Sequence, residues 1–145
     1  MREILFRGKP VNSEWWLENY DRFSSLEEWV IGNLIISDEI YWIVGQLVEA
    51  NDEYLAHEWW VQVDPETVGQ YAGTKIFNNG SRRIYVGDLF RYEDGSILEV
   101  IFEDRIGAFG AWRKDGEWLS MQSTKMWGEL VGNKWDNPEL LEVEE

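Results

Sequence analysis

Turn signals recur at short, regular intervals through the second half of the chain. Asn78-Asn79-Gly80, Asp94-Gly95 and Asp115-Gly116 each place a glycine after a residue that tolerates positive φ, which is typical of hairpin turns. The runs between them are short and rich in β-branched and aromatic residues, as in Ile97–Glu103 and Ala108–Arg113. This spacing predicts a meander of antiparallel strands that closes into a small barrel or a sandwich.

Two apolar runs in the first half predict a further hairpin. Trp29–Ile36 and Ile40–Val48 are rich in β-branched and aromatic residues, and Ser37-Asp38-Glu39 joins them. Their nearly continuous apolar character predicts burial on both faces. Gly32 and Gly45 are expected at bulges or at points of close backbone approach. The fold class that follows is mainly β.

Short helices are expected at two places. Within about 13–28, Ser25 is followed three residues later by Glu28, a spacing typical of a capping box. At about 137–142, Pro138 can occupy the first position of a terminal helical turn.

Three shorter segments carry expectations of their own. Glu49–Glu58 is acidic and is expected to be a loop, whereas Trp59–Val63 is expected to be a strand. Arg7 lies in a strand-like stretch that ends at Gly8, and the alternation there places its side chain in water.

Length and composition exclude several classes of protein. The chain has 145 residues, which predicts one domain with a core of its own. It contains no cysteine, so disulfides, thiolate catalysis and cysteine-based zinc sites are excluded. The opening MREILFRGKP lacks a signal-peptide core, and the apolar runs fall far below the ~20 residues that span a bilayer. A cytoplasmic protein without a membrane partner is expected.

The charge is strongly negative and unevenly placed. The net charge is −15, and residues 10–74 contain thirteen acidic residues against one base, Arg22. Such a field repels nucleic-acid phosphates and anionic lipids, and it favours basic partners or serves only solubility.

Two adjacent tryptophan pairs are the candidate partner-binding residues: Trp15, Trp16, Trp59 and Trp60. Neighbouring residues of a strand point to opposite faces, so one member of Trp59-Trp60 is expected in the core and the other at the surface. Core packing or self-association is one interpretation. The other is an anchor for an unknown protein partner, because tryptophan is enriched at binding hot spots.

A set of basic residues in the second half leads to an alternative, nucleic-acid contact by a small barrel: Arg82, Arg83, Arg91, Arg113 and Lys114. The overall negative charge opposes such binding, so a nucleic-acid partner is not the expected one.

Catalytic chemistry has few candidate residues. A metal-dependent enzyme would have to combine His57 with Asp52, Glu53 or Glu58, although zinc sites ordinarily use several nitrogen or sulfur ligands. Asp88 after Gly87 is expected to accept backbone N–H groups at the start of a strand rather than to act as a base. No catalytic motif is present, so no enzyme activity, metal or cofactor is expected.

Segments in the same order along the chain carry a family resemblance: MREILFRGK, Trp29-Val30-Ile31-Gly32, Val63-Asp64-Pro65-Glu66-Thr67-Val68-Gly69-Gln70-Tyr71, Gly87-Asp88 and Asn137-Pro138-Glu139-Leu140-Leu141. Together they resemble the YopX family of phage and prophage proteins. The chain departs from the family pattern in an insertion at about 12–27 and in Ala72 and Val86.

The resemblance implies a β fold with an SH3-like barrel in its C-terminal region, and a phage or prophage setting. It implies a single domain over residues 1–145. Within that domain, an N-terminal region would cover residues 1–63, a barrel-like region residues 64–136, and a terminal turn and tail residues 137–145. No established activity, catalytic residue or cofactor comes with the resemblance.

Overall fold

The structure is a computed structural model that describes residues 3–11, 29–53, 55–77 and 80–142. The expected helix at about 13–28, the insertion at about 12–27, and Trp15 and Trp16 lie outside these residues. The chain divides into two compact units, Met1–Gln70 and Tyr71–Glu145, called the N-terminal and C-terminal units below. The fold is mainly β, and every pairing between described strands is antiparallel.

The N-terminal unit contains β1 (Phe6–Gly8), β2 (Val30–Ser37), β3 (Ile40–Val44), β4 (Leu47–Ala50), β5 (Leu55–His57) and β6 (Trp60–Val63), and β7 (Gly69–Ile76) begins in it. Strands β6, β3, β2 and β1 and the first residues of β7 lie side by side in that order. Strands β4 and β5 form a separate hairpin. The segment expected to be an acidic loop therefore contains strand structure, and that expectation was wrong.

The predicted hairpin of β2 and β3 is confirmed, but its burial on both faces is not. Asp38 and Glu39 form the turn with φ of 51° and 66°. One face of the sheet carries a buried cluster, Val30, Ile43, Val61 and Val63. On the opposite face Val44 is buried as well, but Ile31 and Ile35 are exposed. Burial on both faces was expected because apolar residues occur on both faces of these strands. The sequence does not show that part of one face is left uncovered.

Arg7 is also placed differently from the expectation. Its side chain is only 8% exposed, and its guanidinium carbon lies 4.6 Å from the centre of the Trp29 ring. The aliphatic stem of arginine packs well on apolar surface, and its charged group is attracted to an aromatic face. The alternation of apolar and polar residues over a strand of three residues was too short to predict whether the Arg7 side chain is buried.

The C-terminal unit contains the rest of β7, then β8 (Arg82–Tyr85), β9 (Asp88–Tyr92), β10 (Ile97–Glu103), β11 (Ala108–Arg113), β12 (Trp118–Ser120), α1 (Met121–Trp127), β13 (Gly128–Asn133) and a 3₁₀ turn (Pro138–Leu141). Strand β7 pairs here with β8. The other strands form a five-stranded sheet in the order β12, β11, β10, β9, β13. The meander β9 to β12 and the terminal turn at Pro138 confirm the predictions.

The core of this unit lies on one face of the five-stranded sheet. Phe90, Leu98, Val100 and Ala111 are buried in one cluster, and Met121 from α1 packs against it. Helix α1 was missed in the sequence. It starts where the Ser120 side chain accepts the backbone N–H of Ser123, a capping signal hidden inside a strand-like run.

The five-stranded sheet is open among the residues described. Its outer strands, β12 and β13, share no pairing, so these strands form no closed barrel. No described helix is long and apolar enough to cross a membrane.

Candidate binding groove

The exposed face of the N-terminal sheet brings apolar residues from three strands into rows. Strand register places Ile35 opposite Trp42, and Val44 opposite Trp60. Residues directly opposite each other in antiparallel strands share a face, so these four side chains line the same side of the sheet. That side is opposite the buried cluster that contains Ile43.

The adjacent tryptophans separate as the strand pattern predicts. Trp59 packs against the buried cluster, and its ring comes so close to Gly45 that a Cβ there would meet it at 2.7 Å. Gly45 is thus a point of close approach, as expected. Trp60 is 60% exposed, and its ring lies 4.7 Å from that of Trp42 at a tilt of 49°.

A groove of about 480 Å³ opens beside this tryptophan pair. It is lined by Ile35, Ser37, Trp42, Val44, Ala56, His57 and Trp60. Most of the wall is apolar, and the hairpin β4–β5 supplies Ala56 and His57. Its volume lies within the roughly 300–1,000 Å³ of ordinary ligand clefts.

His57 is oriented by the backbone. Its Nδ1 lies 2.9 Å from the carbonyl oxygen of Gly45. Because a carbonyl oxygen only accepts hydrogen bonds, Nδ1 is the donor, and in the neutral ring Nε2 is then an acceptor. In that neutral form, His57 can offer one acceptor among the mainly apolar residues that line the groove.

The residues described do not assemble a metal site around His57. They contain no group of three or more histidine, cysteine, aspartate or glutamate residues arranged to hold a metal ion. The sequence-based combination of His57 with Asp52, Glu53 or Glu58 is not brought together.

Four carboxylates, called the acidic rim below, neighbour residues of the groove wall: Asp38, Glu39, Glu49 and Glu58. Asp38 and Glu39 form the turn that follows Ser37, Glu49 lies opposite Ala56, and Glu58 follows His57. All four are exposed, and none forms an ion pair with a described base. Chain position and strand register thus place four carboxylates, without a described ion-pair partner, next to or near residues of the groove wall.

The two described bases of this unit lie against an aromatic ring. Arg7 lies over the ring of Trp29, and the Nζ of Lys9 lies 5.1 Å from the centre of the same ring. Trp29 precedes β2 and is not among the residues that line the groove. The cations of this unit that the structure describes are therefore gathered at a different ring from the groove tryptophans.

The basic residues considered for nucleic-acid contact are not equivalent. Arg113 Nη1 lies 3.2 Å from Asp94 and 3.6 Å from Glu117, so two carboxylates neutralise it. Arg91 lies opposite Glu129 in the strand register. Lys114 is an exposed turn residue.

Arg82 and Arg83 differ from the rest of that set. They occupy β8, where Arg83 lies opposite Lys75 of β7. The guanidinium of Arg83 lies 5.8 Å from the centre of the Tyr71 ring. Strand register therefore places these two arginines beside another base.

Asp88 has the structural role expected of it. It begins β9, is 4% exposed, and its Oδ2 accepts the backbone N–H of Tyr85 at 2.8 Å. A buried carboxylate that accepts a backbone N–H fixes the tight connection between β8 and β9.

Two further carboxyl groups of the C-terminal unit, the exposed Asp94 and the half-buried Glu103, accept hydrogen bonds at turns. Hydrogen bonds from the Ser96 side chain and backbone, together with the charge of Arg113, lower the pKa of Asp94. The backbone and side chain of Arg105 lower the pKa of Glu103.

The groove contains residues that the sequence did not single out. Trp42 and Ile35 were assigned only to strands, and His57 only to a metal hypothesis. The register of the predicted hairpin could have placed two of these residues together, because a turn at Asp38-Glu39 sets Ile35 opposite Trp42. No protein-family model matches the chain, and no characterised protein matches its sequence.

Proposed function

We propose that this chain is a small non-enzymatic protein-interaction module whose groove binds a basic, apolar-tipped segment of a partner protein. One observation carries the proposal. Trp60 is 60% exposed beside Trp42 in a groove of about 480 Å³, and the acidic rim has no ion pair with a described base.

The chemistry of the groove matches such a segment in two ways. An exposed tryptophan pair offers a large, rigid apolar surface, and tryptophan is among the residues that dominate binding energy at interfaces. The rings also attract cations that lie over their faces. The acidic rim adds long-range attraction that raises the association rate of a positive partner and that salt weakens.

The wider assignment belongs to the same proposal: a YopX-like protein of phage or prophage type that acts in the cytoplasm. The sequence segments that resemble the family support it, from the opening strand to Asn137-Pro138-Glu139-Leu140-Leu141. The order β12, β11, β10, β9, β13, with α1 between β12 and β13 in the chain, supports an SH3-like barrel in the C-terminal region.

Synthetic peptides test the groove. A peptide with a central phenylalanine flanked by lysine and arginine is titrated into the protein at low and moderate salt, with tryptophan fluorescence and calorimetry as readouts. We expect saturable binding that weakens as salt rises. A peptide with glutamate in place of its bases should not bind, because it meets the acidic rim with charge of the same sign.

Two variants locate the binding. Trp60→Ala should weaken peptide affinity at least about tenfold, as expected for a hot-spot residue. Trp127→Ala is the matched control, because Trp127 is 51% exposed at the end of α1 in the other unit. Equal binding by the wild type and Trp60→Ala would overturn the proposal.

A further inference from the structure

Strands β7 and β8 form a ribbon whose charge is opposite to that of the rest of the chain. Residues 71–87 contain Lys75, Arg82 and Arg83 and no acidic residue. Register places Lys75 opposite Arg83, and Lys125 of α1 adds a fourth cation through its hydrogen bond to Thr74 Oγ1 at 2.6 Å. The fold therefore groups four cations on this ribbon.

An apolar side chain stands at the end of the ribbon. Phe77 follows the last residue of β7 and is 73% exposed, the largest exposed fraction among the large hydrophobic residues described. Arg82 on β8 is also exposed and lies opposite Ile76, next to Phe77 in the chain. The ribbon end therefore presents an aromatic ring flanked by bases.

We propose that the groove of one copy of this chain binds the ribbon end of a second copy. The ring of Phe77 would pack against Trp42 and Trp60, and the neighbouring bases would face the acidic rim. The inference rests on the proposed function, because it identifies the basic, apolar-tipped segment that the groove accepts. The groove and the ribbon are different surfaces, so each copy offers one of each and the association runs head to tail.

The aromatic ring favours a second copy over a nucleic acid as the partner of the ribbon end. Another copy supplies the carboxylates of the acidic rim together with an aromatic groove for Phe77. A nucleic acid supplies only phosphates, and the net charge of −15 repels it as it repels a second copy, so net charge does not decide between the two. The groove also accounts for the exposed ring and the bases together, whereas phosphates account only for the bases.

Sedimentation velocity on the full chain tests the proposal, from about 10 µM to about 1 mM, a range suited to a weak interface. We expect the average mass to rise above the 17.2 kDa of one chain as concentration increases, and to fall back as salt is added. Phe77→Ser and Trp60→Ala should each abolish the rise, and Trp127→Ala should not. Circular dichroism checks that all three variants are folded.

A mixture of two variants separates head-to-tail association from a symmetric contact. Phe77→Ser keeps an intact groove, and Trp60→Ala keeps an intact ribbon. Mixed together, they should form a one-to-one complex that grows no further, since only one groove–ribbon contact remains possible. Failure of the mixture to associate, when the wild type does, would overturn the head-to-tail contact.

Other outcomes also decide the question. A wild-type mass that stays at 17.2 kDa across the concentration series overturns self-association. If, in addition, a short oligonucleotide shows a salt-sensitive gel shift that Phe77→Ser abolishes, the ribbon end binds nucleic acid instead. If the chain stays monomeric but basic peptides still bind through Trp60, only the second-copy assignment fails. If neither the peptides nor a second copy bind, the groove itself loses its proposed role.

Discussion

The acidic rim of the N-terminal unit and the turn acids of the C-terminal unit have different partners. In the C-terminal unit, acids cap turns and neutralise bases: Asp88 accepts the backbone N–H of Tyr85, and Asp94 pairs with Arg113. In the N-terminal unit, the acidic rim has no ion pair with any described base. Buried or hydrogen-bonded acids stabilise a fold, whereas surface acids without an ion pair mainly create a field, so the comparison separates two physical effects of the same residue type.

The two units also differ in where their exposed apolar side chains lie. In the C-terminal unit, exposed apolar side chains lie mostly at the ends of elements, as with Ile106 in a turn and Trp127 at the end of α1. In the N-terminal unit, Ile31, Ile35 and Trp60 lie on strands of one sheet. Exposed apolar residues grouped on one sheet face, rather than scattered singly, are typical of an interaction surface.

The largest expected effect separates the two adjacent tryptophans of the N-terminal unit. Trp59→Ala removes a ring packed on the buried cluster and should lower the free energy of unfolding by about 3 kcal/mol. Trp60→Ala removes an exposed ring and its contact with Trp42, and should cost only about 1 kcal/mol. Urea denaturation followed by circular dichroism measures both.

This pair tests whether the exposed sheet face is kept for binding rather than for stability. A loss for Trp60→Ala as large as that for Trp59→Ala would show that the exposed face belongs to the core. The proposed separation between the two faces would then fail.

A second comparison sets a buried acid of the C-terminal unit against a capping acid of the N-terminal unit. Asp88→Ala leaves the backbone N–H of Tyr85 without its carboxylate and should cost about 2–3 kcal/mol. Asp64→Ala removes the side-chain cap on Glu66 N in a short 3₁₀ turn of the N-terminal unit, Pro65–Thr67, and should cost about 1 kcal/mol. Thermal and urea unfolding of the two variants, with Asp88→Asn as a partly conservative control, measures the difference. Equal losses would contradict the special role of the buried carboxylate.

Much of the fold could be predicted from the sequence, because turns and strands there are determined by residues close together in the chain. The meander of the C-terminal unit follows from Asp-Gly turns that need positive φ, and strands β10 and β11 have the bounds that the pattern predicts. Helix α1 was missed because its cap, Ser120, ends a strand rather than a loop. The hairpin β4–β5 was missed because acidic residues obscure the strand pattern there.

The groove was harder to predict because it depends on distant residues. Trp60 follows from the alternation of one strand, but its partner Trp42 comes from a different hairpin and meets it only through the register of β3 and β6. Burial was also misjudged, since a run of apolar residues does not show which face a sheet leaves uncovered. A single sequence therefore identifies the exposed Trp60 better than the surface around it.

A third prediction compares acids of the two units by neutralising them. Asp38→Asn keeps a residue that favours the positive φ of 51° at this turn, so the unfolding midpoint should change little. Asp94→Asn weakens the ion pair with Arg113 at 3.2 Å, so its midpoint should fall. Conversely, only Asp38→Asn should weaken binding of a basic peptide to the groove. The distinction between the units would break if Asp94→Asn reduced peptide binding as much as Asp38→Asn did.

The smallest expected effect concerns the pKa of one turn carboxyl in the C-terminal unit. The Ser96 side chain is the largest cause that lowers the pKa of Asp94 below its ordinary 3.8. A lowered folded-state pKa means that the carboxylate stabilises the fold above the unfolded value, and that this contribution is lost as pH falls through the folded value. Ser96→Ala should raise the pKa of Asp94 towards 3.8, so its pKa-linked contribution to stability should shrink. An NMR titration of the carboxyl carbons measures the change, with Glu103, whose pKa is lowered by Arg105, as the internal control. If the pKa of Asp94 does not change in Ser96→Ala, or changes together with that of Glu103, the hydrogen bond from Ser96 is not the main cause of the lowered pKa of Asp94.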